Sequence, residues 1–323
     1  MIQKTKRLLL ETIRVMLGTV RKKFRDRFYY HKRKIFKGLK INLRQKNSFR
    51  KIILIVIDSL RKDSLSYYGY ERKTTPFIDS LIQDGRSIAF HNFHSVSSWT
   101  YPSVTSMLSG LYPHKHGGVY PKAYRNMHTD RPNHWNDEIT FLPDIFKKLG
   151  YETVFLSSIE CAHIASQGLF KRSYSGMKFQ NTDSIFKQLE QILLNGNKKQ
   201  LVHCQIGGLH YPVFVPEDFK DFFEEIPDDI DNLDTYDYLD NNYTGDKDFE
   251  RYAYYRKLYY DDALRYIDHR LQLLFYFLDK KDLLESSLVV ITSDHGEEFW
   301  DHLEEEHKYF KDPRPAYEFG HAH

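Results

Sequence analysis

Lys51-Ile-Ile-Leu-Ile-Val-Ile-Asp58 decides the fold. Six consecutive aliphatic residues leave no polar face, so both sides of this strand must be covered, as in the middle of a parallel sheet. Ser287-Leu-Val-Val-Ile-Thr-Ser-Asp294 repeats the pattern and also ends in an acid. Shorter strands are expected at residues 152–157 and 200–205. Between these runs, apolar residues recur at helical spacing over 75–84, 102–109, 142–149, 184–194 and 249–278. Strands alternating with helices predict an α/β domain with a mainly parallel central sheet and helices on both faces.

The 323 residues are 41% hydrophobic and 28% charged, a balance that excludes a wholly disordered or collagen-like chain. Two cysteines, Cys161 and Cys204, exclude a disulfide scaffold or a four-cysteine zinc site. No run approaches the ~18 apolar residues of a membrane-spanning helix. The stretch from Leu8 to Val20 is interrupted by Glu11, Thr12, Arg14 and Gly18 and does not read as a secretory signal. The expectation is a cytoplasmic protein, or one peripheral to a membrane.

Charge is unevenly spread. Residues 1–50 hold 17 Lys+Arg against Glu11 and Asp26, whereas the remainder is net acidic. Within this arm Leu9, Ile13, Met16, Val20, Phe24 and Phe28 share one helical face. A basic amphipathic helix can lie on an anionic membrane, here through residues 1–45, or bind a polyanion; it can equally pack on its own body or on another subunit. Nothing points to a specific nucleic-acid partner. Residues 217–250 carry 14 Asp+Glu and only Lys220 and Lys247, and read as a solvated acidic insertion.

Ligand crevices of open α/β sheets lie beyond the carboxyl ends of the strands, where Asp58 and Asp294 sit. If the two strands are neighbours, the carboxylates converge and repel unless a cation lies between them. With His295 they form a ligand set for one divalent metal ion, Zn, Mn, Mg or Ca, the imidazole favouring the first two. Pro102 suits the first turn of a helix, which sets Thr100 just ahead of its N-terminus. There Thr100 is either a plain N-cap or, beside a dication, a nucleophile facing a bound anion.

Together these segments make the chain from residue 51 to 323 resemble the sulfatase family of the alkaline phosphatase superfamily. The resemblance runs through Asp58-Ser-Leu-Arg-Lys-Asp63, Tyr68-Gly-Tyr, Thr75-Pro-Phe-Ile-Asp-Ser-Leu and the Thr100 segment up to Gly117. It continues through Leu209-His-Tyr-Pro212, Tyr260-Asp-Asp-Ala with Asp268, and Thr292-Ser-Asp-His-Gly-Glu297. It implies an alkaline-phosphatase-like fold, with Asp58, Asp294 and His295 as metal ligands and Thr100 as nucleophile. His210 falls where a histidine contacts the substrate anion or leaving group. His307, Lys308 and His321 fall near positions that supply further charge.

Three departures qualify this. Ser59 stands where many members carry a second aspartate. Thr100-Tyr-Pro-Ser-Val104 lacks both the cysteine or serine that becomes formylglycine and the arginine that follows it. The family also continues past Gly320-His321 into a smaller C-terminal subdomain, which the resemblance leads us to expect is lacking. Threonine nucleophiles typify members that move phosphoryl groups, such as phosphoethanolamine and phosphoglycerol transferases and some phosphodiesterases. The expected function is a hydrolase or transferase acting on an anionic ester, of a glycan or lipid, with phosphate or phosphodiester favoured over sulfate. The alternative is a non-catalytic binding protein that keeps the fold.

Overall fold

A computed structural model describes residues 49–118, 135, 138–174, 182–194, 198–230 and 247–301. The basic arm, the middle of the acidic insertion, and His307, Lys308 and His321 lie outside the described residues. β1 (Lys51–Ile57), β2 (Glu152–Ser157), β3 (Arg172–Tyr174), β4 (Gln200–Ile206) and β5 (Ser287–Thr292) form one sheet in the order β3-β2-β4-β1-β5. Every pairing is parallel. β1 therefore lies between β4 and β5, and the two acid-ending strands are neighbours. β3 escaped the sequence reading because Arg-Ser-Tyr carries no apolar run.

Side-chain alternation divides the core in two. Ile53, Ile55 and Ile57 of β1, Val154 and Leu156 of β2, and Val202, Cys204 and Ile206 of β4 point to one face. They pack there on α6 (Thr182–Leu194) and α7 (Lys247–Lys280). Phe155 of β2 points to the other face, into a second cluster with α2 (Thr100–Ser109), α4 (Leu142–Lys148) and α5 (Glu160–Ala165). Two short helices complete the set, α1 (Pro76–Gln83) and α3 (Pro113–His116). β5, with one neighbour among the described residues, leaves Leu288 and Val290 exposed.

Buried carboxylates tie the layers together. Asp268 of α7 is fully buried and accepts the Phe77 and Ile78 N–H groups at 2.9 and 3.0 Å, satisfying the N-terminal turn of α1. Burial still pushes its carboxyl up to about 6. This accounts for the Thr75-Pro-Phe-Ile motif and the distant Asp268 as one structural unit. α7 also reaches the sheet top: the Tyr260 hydroxyl donates to Ser59 O at 2.8 Å and accepts the Arg61 N–H at 3.0 Å.

Candidate metal and nucleophile site

β1 ends at Ile57, and Asp58 N donates onward to Ile206 O at 2.9 Å. Ser59 then turns into the left-handed region at φ 61°, a costly backbone for a residue with a Cβ. The Tyr260 clamp holds that turn. Ser293, just past β5, lies 2.8 Å from Ile57 O and accepts the Leu60 N–H at 3.1 Å. The two strand ends are thus stitched to each other, which fixes where their acids point.

Asp58, Asp294 and His295 each offer a ligand atom, and these atoms all lie within 4.8 Å of one another. All three residues are buried. His295 Nε2 is 3.5 Å from Asp58 Oδ1 and 3.8 Å from Asp294 Oδ2. Its Nδ1–H donates to Gly296 O at 2.7 Å, a bond that turns Nε2 toward the carboxylates. Two oxygens and one imidazole nitrogen at this spacing suit a divalent ion. Burial and the charge of Asp58 push Asp294 up to about 7, against the pull of His295. Burial works against a charged His295, but Asp294 and Asp58 outweigh it and hold the imidazole above its ordinary range.

Thr100 enters the same cluster. Its Oγ1 donates to Asp58 Oδ2 at 3.3 Å and lies 3.2 Å from His295 Nε2. The plain N-cap alternative is overturned, because this hydroxyl makes no capping bond and Trp99 is the cap residue. The helix begins two residues earlier than expected, so Thr100 is its first residue and Pro102 its third. Proline is tolerated there because N–H groups of the first turn have no helical acceptor. The Ser95 hydroxyl on the preceding loop donates to the Asp294 carbonyl, joining this loop to the Asp294–His295 turn. Val104 is fully buried in the second core cluster, so the position of the missing arginine is filled by apolar packing.

Gln205 was not singled out by sequence reasoning. It sits in β4 opposite Val56 and is fully buried. Its Nε2 donates to Asp58 Oδ2 at 2.9 Å and to Asp294 Oδ2 at 2.8 Å. Its Oε1 lies 3.2 Å from His203 Nε2, and burial lowers His203 to about 4, so this imidazole is neutral and its Nε2–H can donate. His203 is packed against Phe155 and Phe170. The pair orients an amide NH₂ across both carboxylates. The available signal was a polar Gln within an otherwise apolar strand, two residues after a His. Gln205→Leu should therefore weaken Zn²⁺ binding by roughly 10- to 100-fold, the usual cost of losing a group that orients metal ligands. Chelator competition measures this, and an unchanged affinity would refute the role.

His210 stands on the loop after β4, half-buried, with Nδ1 2.6 Å from Tyr211 O. The buried Glu297 carboxyl, raised by burial, feels the charges of Arg256, His210, His295 and Asp58. His210 is not among the residues whose ligand atoms cluster with Asp58, Asp294 and His295.

The sequence profile described as Sulfatase matches residues 50–320. The chain belongs to the sulfatase family. Phosphoethanolamine transferase EptC of Escherichia coli (strain RS218) is 23% identical over 273 residues, covering 79% of this chain and 41% of that protein. The chain thus spans about two-fifths of the length of the curated relatives it matches. Among solved structures, the periplasmic domain of E. coli EptC in complex with Zn matches at a TM-score of 0.53 and 19% identity, covering 79% of this chain and 66% of that one. Phosphonate monoester hydrolase of Agrobacterium radiobacter matches at 0.59 and 15%, covering 78% and 64%. These neighbours share the sulfatase-type fold with its mainly parallel sheet.

Proposed function

We infer that this sulfatase-family domain transfers or hydrolyses a phosphoester through a covalent intermediate on Thr100. One observation carries the reading: the Thr100 hydroxyl is turned away from its helix and into a cluster of Asp58, Asp294 and His295. That placement favours catalysis over a fold retained only for binding. Asp58, Asp294 and His295 would hold a divalent ion, which when bound would polarise the ester and make the threonine hydroxyl more acidic. Asp58 Oδ2 receives the Thr100 hydrogen bond and so fixes the direction of its lone pairs. As Thr100 Oγ1 gives up its proton to Asp58 Oδ2, which already accepts its hydrogen bond, it attacks phosphorus in line, the bond to the leaving oxygen breaks, and His210 would protonate that oxygen. Water or an acceptor hydroxyl then displaces the phosphoryl group from threonine.

Phosphate is favoured over sulfate because threonine has no second hydroxyl on its reacting carbon and Val104 brings no charge. The EptC relatives are phosphoethanolamine transferases, which supports a phosphodiester donor and a glycan or lipid acceptor. The test is a panel of aryl phosphate, phosphodiester and sulfate esters with metal-loaded protein. Turnover of phosphoesters well above sulfate esters supports the reading, and robust sulfate release would overturn it.

Location is part of the same proposal. No helix among the described residues is long and apolar enough to cross a membrane. The solved EptC domains are periplasmic, which does not fit the cytoplasmic expectation. We place the site beside an anionic membrane reached through residues 1–45, whose 15 Lys+Arg suit such a surface. Deleting residues 1–45 should weaken co-sedimentation with phosphatidylglycerol vesicles and leave turnover of small esters intact; unchanged co-sedimentation would remove the membrane contact.

A further inference from the structure

Arg256 is 96% buried, since only 4% of its surface is exposed, and its Nη1 has no hydrogen-bond partner. A buried guanidinium N–H without an acceptor is costly and calls for an explanation. Its surroundings supply one. Arg256 lies one turn before Tyr260 on α7, so both share a helix face. Tyr260 on that face is bonded to Ser59 O, next to Asp58. The Arg256 guanidinium is stacked 4.0 Å over the ring of Tyr211, the residue after His210. Glu297, three residues past Asp294, is also buried, and its Oε2 lacks a hydrogen-bond partner. The guanidinium, with an unused Nη1 N–H, thus lies against Tyr211 next to His210 and one helical turn from Tyr260, which holds Ser59 beside Asp58.

We propose that Arg256 binds the anionic phosphoryl oxygens of the substrate, supplying from α7 the guanidinium that Val104 cannot supply from α2. The planar N–H fork of arginine matches a phosphate edge, and its aromatic bed holds the fork in place before substrate arrives. The anion class is a phosphomonoester or phosphodiester headgroup. This rests on the phosphoester reading above and deepens it.

The test is binding of inorganic phosphate to Zn²⁺-loaded full-length protein, by calorimetry, beside turnover of a phosphodiester. Arg256→Gln should weaken phosphate binding at least tenfold and raise KM more than it lowers kcat, with Zn²⁺ affinity and Tm unchanged. Arg256→Lys, which keeps the charge and loses the fork, should recover part of the affinity. Phosphate affinity and KM equal to wild type in Arg256→Gln would overturn the proposal. Should that variant fail to fold, Arg256→Lys decides: a severalfold weaker phosphate affinity supports the fork, and an unchanged one overturns it. The two readings fail separately. Arg256-dependent phosphate binding without any phosphoester turnover would sink the reaction and leave the anion site. Phosphoester turnover indifferent to Arg256 would sink the anion site alone.

Discussion

Thr100→Ala is expected to abolish phosphoester turnover, by about a thousandfold or more, while Thr100→Ser retains a measurable part. Alanine removes the only group that can carry the phosphoryl between donor and acceptor, so no milder route through the same chemistry remains. Serine keeps Oγ and loses a methyl group; without β-branching it samples more rotamers, so fewer molecules hold the attacking geometry. Thr100 contributes one hydroxyl bond to Asp58 and no capping bond to its helix, so both variants should stay folded and bind Zn²⁺. A phosphoenzyme trapped by acid quench and mapped to residue 100 in the serine variant would complete the case. Full activity in Thr100→Ala would show that the nucleophile is elsewhere.

The second large effect concerns metal removal and its dependence on pH. In metal-free protein Asp294 is pushed up to about 7, far above the ~3.9 of an unfolded aspartate. Between those values the folded state binds more protons than the unfolded one, so stability must fall as pH rises through that window. His295, also raised, adds stability that is complete below about 6.5 and is lost as pH climbs through its folded value. Asp261 and Asp268 at about 6 and Asp262 at about 7, all raised chiefly by burial, act in the same direction. Asp63, lowered chiefly by its bond to Arg61, titrates below this window and does not offset them. His203 and His116, both lowered to about 4 by burial, add stability as pH rises to about 6.5 and offset only part of the loss. The metal-free protein should therefore melt at a lower temperature at pH 8 than at pH 5.5. Zn²⁺ takes the deprotonated ligands, so its stabilisation should grow over the same interval. Thermal melts with and without Zn²⁺ read both slopes, at roughly 2–4 °C per kcal/mol for a domain of this size. A metal-free Tm that rises with pH, or a Zn²⁺ shift that does not, would contradict the assignment of the site.

The parallel sheet was legible because six aliphatic residues before Asp58 admit no other placement, and the repeat before Asp294 supplied its partner. The convergence of those acids followed from strand adjacency alone. Other features needed three dimensions. Gln205 looks like one polar residue in an apolar strand until β4 is set beside β1 and its amide meets both carboxylates. Arg256 belongs to a charged helix whose composition gives no reason to single out one cation among several. The start of α2 was displaced by two residues because Pro102 was given the first helical position, whereas a first turn accepts proline at its third. The sequence resemblance also assigned roles to His307, Lys308 and His321, which lie outside the described residues.

The sheet order carries a kinetic consequence. β1 is flanked by β4 and by β5, the furthest along the chain of the described strands. Residues 58, 100, 205 and 294 must therefore meet across loops of tens to hundreds of residues, and such non-local closure is slow. A nascent chain stopped before residue 287 would present Asp58, Thr100 and Gln205 with neither Asp294 nor His295. On the proposed ligand set, tight capture of an ion would then report the docking of β5 beside β1. During biosynthesis, metal loading would act as a checkpoint passed only by chains in which β5 has joined the sheet.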